Sequence, residues 1–288
     1  MFVCNLKGDF SFIKIKSRRI NSTKLMIFVP HPLKWKASPW LARIASILAW
    51  VVAKVILLVL PVKILAVNPP PRTQTLMFVS NHTVGFGIDS IILICAIYVK
   101  TGIYPRGLAD RMHFKVPIWA HVLYMLGVFP AERCLVEEVM QEGVPVIVFP
   151  CGREGVMRKK NRQKYELLWK QRNGFAQLAV KHSYTIVPAC TIGLGDILSI
   201  LQDVRIDYVF WLFGDEKPTT SIPICFPVSF ERIYVKIGKP IETQNCSSDF
   251  VRQQTKCSVE ELMAGCIKYQ SLDPDRHLGG RLYNYVFA

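Results

Sequence analysis

The stretch Leu76-Met-Phe-Val-Ser-Asn-His-Thr-Val-Gly-Phe-Gly-Ile-Asp-Ser90 decides how this chain is read. Leu76–Ser80 is apolar and partly β-branched, the composition of a buried strand. Asn81 and His82 follow at the strand exit, then Gly85 and Gly87, then Asp89 where the helical run Ile91–Lys100 begins. Asp89 is placed to cap that helix. The glycines let the backbone fold the histidine and the carboxylate together. A histidine held in that way can take a proton from a hydroxyl at neutral pH. By themselves the two residues read first as a buried histidine satisfied by backbone and an aspartate that only caps a helix. The surrounding chain decides.

Downstream, short apolar runs alternate with helical ones. Tyr104–Ala109 and Gly127–Pro130 are extended, Val116–Leu126 and Leu135–Glu142 helical, and Val144–Phe149 is a continuous apolar run of strand length. Asn173–His182 follows as a helix, Thr185–Pro188 and Tyr234–Gly238 as strands, and Ser258–Gln270 as a helix with Ser258 and Glu261 in capping-box spacing. This alternation predicts an α/β domain with a mostly parallel sheet flanked by helices. Ligands of such sheets bind beyond the carboxyl ends of the strands, where His82, Arg133 and Cys151–Glu154 fall. Tyr208–Phe213 and Ile222–Phe230 are aromatic-rich and read either as core or as an apolar flap over an acyl channel.

Upstream, three segments are distinguished. Residues 1–39 are polar and basic, without the apolar core of a secretory signal, and read as unstructured chain or as a patch lying on lipid. Trp40–Val67 is the membrane candidate, with Ile44–Ala53 and Val55–Val62 free of charge and about the ~20 residues a spanning helix needs. Lys54 near its middle costs on the order of 3 kcal/mol unless it snorkels. A helix dipping into one leaflet, or a hairpin kinked at Pro61, accounts for Lys54 as well as a full span does. Residues 68–288 form the remaining domain.

The 288 residues are 51% hydrophobic and carry a net charge of +15. Apolar and basic together point to a membrane surface or a phosphorylated substrate. A nucleic-acid partner would account for the charge but not for the apolar segment. The nine cysteines are scattered and odd in number with no C-x-x-C, and the histidines lack ligand spacing, so neither a metal nor a disulfide framework is expected. Reduced thiols suit a domain on the cytosolic side of a membrane.

Four blocks stand in order: Asn81-His82 to Asp89, Gly127-Val-Phe-Pro-Ala-Glu-Arg133, Phe149-Pro-Cys-Gly-Arg-Glu154, and Ile186-Val-Pro188. Together with Arg172-Asn-Gly-Phe-Ala176, this order resembles the glycerolipid acyltransferase superfamily, closest to its diacylglycerol acyltransferase-like and transmembrane protein 68 branch. Two departures are visible. Six residues separate His82 from Asp89 where the superfamily usually has four, and the third block is one residue short before Arg153-Glu154.

The resemblance implies a membrane-bound O-acyltransferase that moves an acyl chain from acyl-CoA to a glycerolipid hydroxyl, with no other cofactor. His82 would be the general base and Asp89 its orienting carboxylate. Gly152 and neighbouring backbone N–H groups would face the oxyanion. Phe149, Pro150, Gly152, Arg153 and Glu154 would shape the substrate site. Arg133 would meet the acceptor headgroup, or else pair with Glu132 or Glu137. The basic run Arg153, Arg158, Lys159, Lys160, Arg162 and Lys164 suits CoA phosphates, an anionic membrane or a solvated loop. Mono- or diacylglycerol is the first acceptor expected and a lysophospholipid or glycerol phosphate the second, at the endoplasmic reticulum membrane. A non-catalytic lipid-binding scaffold of the same fold is the competing class.

Overall fold

A computed structural model of the protein describes residues 39–68, 70, 75–83, 87–115, 117–152, 164–205 and 221–287. Its strands are β1 (Val62–Val67), β2 (Leu76–Ser80), β3 (Arg106–Ala109), β4 (Val128–Pro130), β5 (Val146–Val148), β6 (Thr185–Ile192), β7 (Leu198–Arg205), β8 (Ser221–Pro227) and β9 (Ile233–Ile237). The helices are α1 (Pro39–Val59), α2 (Ile88–Thr101), α3 (Pro117–Met125), α4 (Arg133–Gln141), α5 (Gly174–Lys181), α6 (Ser248–Leu272) and α7 (Leu278–Phe287). Seven strands form one sheet in the order β1-β9-β6-β2-β5-β3-β4, and β7 and β8 form a separate antiparallel pair. Every pairing in the main sheet is parallel except β6 with β9.

β2 sits mid-sheet, between β5 and β6, and all five of its residues are buried. Burial on both faces is why its sequence is a continuous apolar run rather than an alternation. Met77 and Val79 face one core, shared with Val136 and Met140 of α4, Phe175 of α5 and Val259 of α6. Leu76 and Phe78 face the other, shared with Ile92, Leu93 and Ile97 of α2. Pro188 lies inside central β6 yet leaves the β2 ladder intact. Its carbonyl accepts from Gly238 N–H just past β9, and the register slips by one residue before Ile186 bonds Ile241 in both directions, so its ring nitrogen faces an irregular step rather than a regular ladder position.

The membrane candidate Trp40–Val67 divides in two. Helix α1 ends at Val59, before the Leu60-Pro61 turn, because the residue preceding a proline is driven out of the helical region. Val62–Val67 is a strand paired in parallel with β9, so the sheet recruits residues before 68. A β-branched apolar run of this length fits a strand as readily as a membrane helix. Among the described residues no helix is long and apolar enough to cross a membrane. What α1 does present is apolar surface without a protein cover: Leu58 is 83% exposed, Val59 74% and Ile47 62%.

Helix α6 begins at Ser248, with Ser247 as its cap accepting from Phe250 N–H at 3.2 Å, so Ser258 and Glu261 are interior residues and form no capping box. Ile222–Phe230 contributes β8, and Tyr208–Phe213 lies outside the described residues, as does the basic segment through residue 38.

Candidate active site

The site is assembled where β2 leaves the sheet. Asn81 is buried and bonds the backbone of Thr191 on β6 in both directions, so the chain enters His82 from a fixed point. His82 Nδ1 lies 2.7 Å from Asp89 Oδ2. The two extra residues of spacing therefore do not separate the pair. Asp89 is buried in the first turn of α2. Its Oδ2 also accepts from Thr83 N–H at 2.6 Å and Thr83 Oγ1 at 3.3 Å, and its Oδ1 from Ser90 N–H at 2.9 Å.

Asp89 is not the cap. Gly87 holds that position with φ +86, a left-handed conformation that the glycine supplies without strain, and its carbonyl accepts from Ser90 and Ile91. The carboxylate is instead turned onto His82 and Thr83. A carboxylate only accepts, so His82 Nδ1 is the donor, and in a neutral imidazole Nε2 carries the lone pair. The helix N-terminus adds a favourable field at the carboxylate.

Phe149 stacks on the imidazole, ring centroids 4.6 Å apart and planes at 30°. It opens the turn Phe149-Pro150-Cys151-Gly152, closed by Gly152 N–H donating to Phe149 O at 2.9 Å. That bond corrects the expectation for Gly152, whose N–H is engaged inside the turn rather than directed at an oxyanion. Pro150 and Cys151 are buried and shape the turn. Arg153 and Glu154 lie outside the described residues, with most of the basic run. Its described member, Lys164, pairs with Asp196 at 3.0 Å.

Arg133 is the first residue of α4 and pairs with Glu137 at 3.2 Å, whereas Glu132 lies 3.8 Å from Arg111. Lys181 also reaches Glu137, at 2.9 Å, and hydrogen bonds from Lys181 and Arg133 hold that carboxyl below its ordinary range. Arg133 stands at an apolar cleft of about 200 Å³ lined by Met77, Leu108, Ala131, Val148 and Phe175. The cleft lies on the α4–α5 side of the sheet.

Asn81 and Arg172 stand in the quoted blocks, but the sequence does not reveal their partners: the Asn81 amide reaches Thr191 and the Arg172 guanidinium the carbonyls of Pro150 and Cys151, far away in the chain. Thr83, next to His82, could have been found as a hydroxyl and N–H beside the expected carboxylate. Among the described residues no group of His, Cys, Asp and Glu could hold a metal ion, and none of the eight described cysteines is in a disulfide.

A family model described as Acyltransferase matches residues 64–192. Phytyl ester synthase 2, chloroplastic, of Arabidopsis thaliana is 25% identical over 247 residues, 74% of this chain and 35% of that protein. The DGAT1/2-independent enzyme synthesizing storage lipids of Bos taurus is 28% identical over 181 residues, 61% of this chain and 51% of that protein. The chain thus spans about half or less of the length of these curated relatives. The 1-acyl-sn-glycerophosphate acyltransferase of Thermotoga maritima shares the fold with a TM-score of 0.52, over 81% of this chain and 86% of that one, at 17% identity.

Proposed function

Residues 64–192 belong to the acyltransferase family, and on that premise we propose that the chain is a membrane-bound O-acyltransferase moving an acyl group from acyl-CoA to a glycerolipid hydroxyl, with His82 as general base. The observation that carries this reading is the 2.7 Å contact between His82 Nδ1 and Asp89 Oδ2 at the carboxyl end of β2. It leaves Nε2 to take the hydroxyl proton as the oxygen attacks the thioester carbonyl. Asp89 stabilises the imidazolium that forms. The tetrahedral intermediate then collapses, the carbon–sulfur bond breaks, and the CoA sulfur leaves with the proton returned from Nε2. No acyl-enzyme is required.

Mono- or diacylglycerol is the acceptor favoured here. The cleft beside Arg133 is apolar, and Glu137 already engages the Arg133 guanidinium, which supports an uncharged lipid over a phosphate acceptor. The relative named for synthesizing storage lipids points the same way. A lysophospholipid or glycerol phosphate would have to draw Arg133 away from Glu137. The exposed apolar residues of α1 support attachment to a membrane, that of the endoplasmic reticulum in this reading, and described cysteines that form no disulfide suit its cytosolic side.

The test is acyl transfer by the full chain in vesicles, with labelled acyl-CoA and a panel of mono- and diacylglycerol, lysophospholipid and glycerol phosphate acceptors. His82→Ala is expected to abolish transfer while the protein stays bound to vesicles. Unchanged product formation by that variant overturns the assignment.

A further inference from the structure

We propose that Arg172 is a positioning residue for the His82 imidazole and acts through Phe149. The proposal uses the acyl-transfer reading for its kinetic readout only. A single hydrogen bond from Nδ1 to Asp89 leaves the imidazole free to swing about the Nδ1–oxygen axis, so it does not by itself aim Nε2. The second restraint is the ring of Phe149, stacked at 4.6 Å on one face of the imidazole. Phe149 in turn packs against both cores of the sheet and opens the turn that ends at Gly152.

Arg172 holds that turn from outside. Its own backbone N–H donates to Trp169 O at 3.0 Å, just ahead of α5. Its Nη1 donates to the carbonyl of Pro150 at 3.1 Å and to the carbonyl of Cys151. One charged donor thus serves two adjacent carbonyls in the middle of the turn, bonds stronger than neutral ones. Gly152 makes room for it. The residue has φ +52, and a Cβ there would stand 2.7 Å from Arg172 Nη1. The glycine supplies the left-handed φ of the turn and leaves space beside the guanidinium. The chain of contacts runs from Arg172 to the Pro150–Cys151 carbonyls, to Phe149, to His82.

Displacing an imidazole by about 1 Å costs about 100-fold in rate, so Arg172→Ala is expected to lower kcat by about that factor with KM for the acyl donor little changed. The discriminating measurement is a double-mutant cycle with Phe149→Leu. If Arg172 acts through Phe149, the double variant loses little more than the worse single one; losses that multiply overturn the proposal. Should Arg172→Ala unfold, Arg172→Lys keeps the charge without the planar fork, and added guanidinium ion is expected to restore kcat of the alanine variant but not of Phe149→Leu.

A readout free of activity separates failure of this proposal from failure of the acyl-transfer reading. In histidine-labelled protein, the His82 ring proton facing Phe149 is expected to resonate upfield through the ring current, and to lose that shift in Phe149→Leu and Arg172→Lys alike. An unchanged His82 resonance in Arg172→Lys overturns the positioning role, whether or not the wild-type protein transfers acyl groups.

Discussion

Asn81 and Thr191 are joined by both ends of one side-chain amide: Thr191 N–H donates to Asn81 Oδ1 at 3.0 Å, and Asn81 Nδ2 donates to the Thr191 carbonyl at 2.9 Å. The backbone ladder between β2 and β6 ends at Ser80 opposite Ala189. One residue later the side chain continues that ladder, which frees the backbone of Asn81 to turn towards His82. Removing the amide leaves two buried backbone groups without partners, at about 1–3 kcal/mol each. Asn81→Ala is therefore expected to lower stability by about 2 kcal/mol, a fall of roughly 5 °C in Tm, and to reduce acyl transfer by loosening His82. Thermal unfolding beside a kinetic assay checks both. A Tm unchanged from wild type refutes the account.

Asp89→Asn tests the carboxylate separately from the fold. Asparagine is nearly isosteric and can still accept from Thr83 and Ser90, but it cannot balance an imidazolium. A fall in kcat of about 10³–10⁴-fold is expected, as when the aspartate of a catalytic triad is made neutral, with KM changed far less. Steady-state kinetics at neutral pH provide the check. A loss confined to KM would place Asp89 in substrate binding instead.

How much of this was legible follows from the range of each interaction. His82 and Asp89 could be paired from sequence because both sit within one strand–helix junction, and the strand–helix alternation is a local signal. Val62–Val67 falls within the expected membrane segment yet forms β1, because a short apolar run carries no period that separates strand from lipid-facing helix. Helix α6 starts ten residues before the expected Ser258 because polar Thr255 interrupts its buried stripe between Val251 and Val259. Asn81–Thr191 and Arg172–Pro150 are side-chain to backbone contacts over long separations, and sequence patterns encode neither. The expectation that Gly152 N–H faces an oxyanion fails because the destination of that N–H depends on turn closure, here onto Phe149 O.

The uncovered face of α1 makes membrane attachment measurable. Leu58 and Ile47 are 83% and 62% exposed, so charged substitutions there disturb no packing. Burying two such side chains in lipid contributes about 4 kcal/mol, roughly a thousandfold in partition. The Leu58→Glu, Ile47→Glu variant is expected to leave phosphatidylcholine–phosphatidylserine vesicles on flotation while keeping the wild-type Tm. Full retention on vesicles would show that other parts of the chain carry the attachment.

Acid stability should report one buried carboxylate, Asp273, and one half-buried, Asp196, which tie α6 and its C-terminal end to the sheet. Burial pushes the Asp196 carboxyl up, and hydrogen bonds from Tyr165, Lys164 and Gln270 outweigh it, so the group titrates below its ordinary value of 3.8. Asp273 behaves alike: bonds from Tyr234, the Asp275 N–H and Lys63 overcome its burial. A carboxyl with a depressed folded pKa contributes stability that is fully present above its unfolded pKa, and this is lost as pH falls through the folded one. Denaturant unfolding of Asp196→Asn and Asp273→Asn against wild type is expected to show the variants weaker at neutral pH. The difference should shrink as pH drops below about 4, because the wild-type carboxyls then protonate and lose the same interactions. A difference that stays constant down to the acid transition would mean that the two aspartates contribute through shape and neutral hydrogen bonding, not through charge.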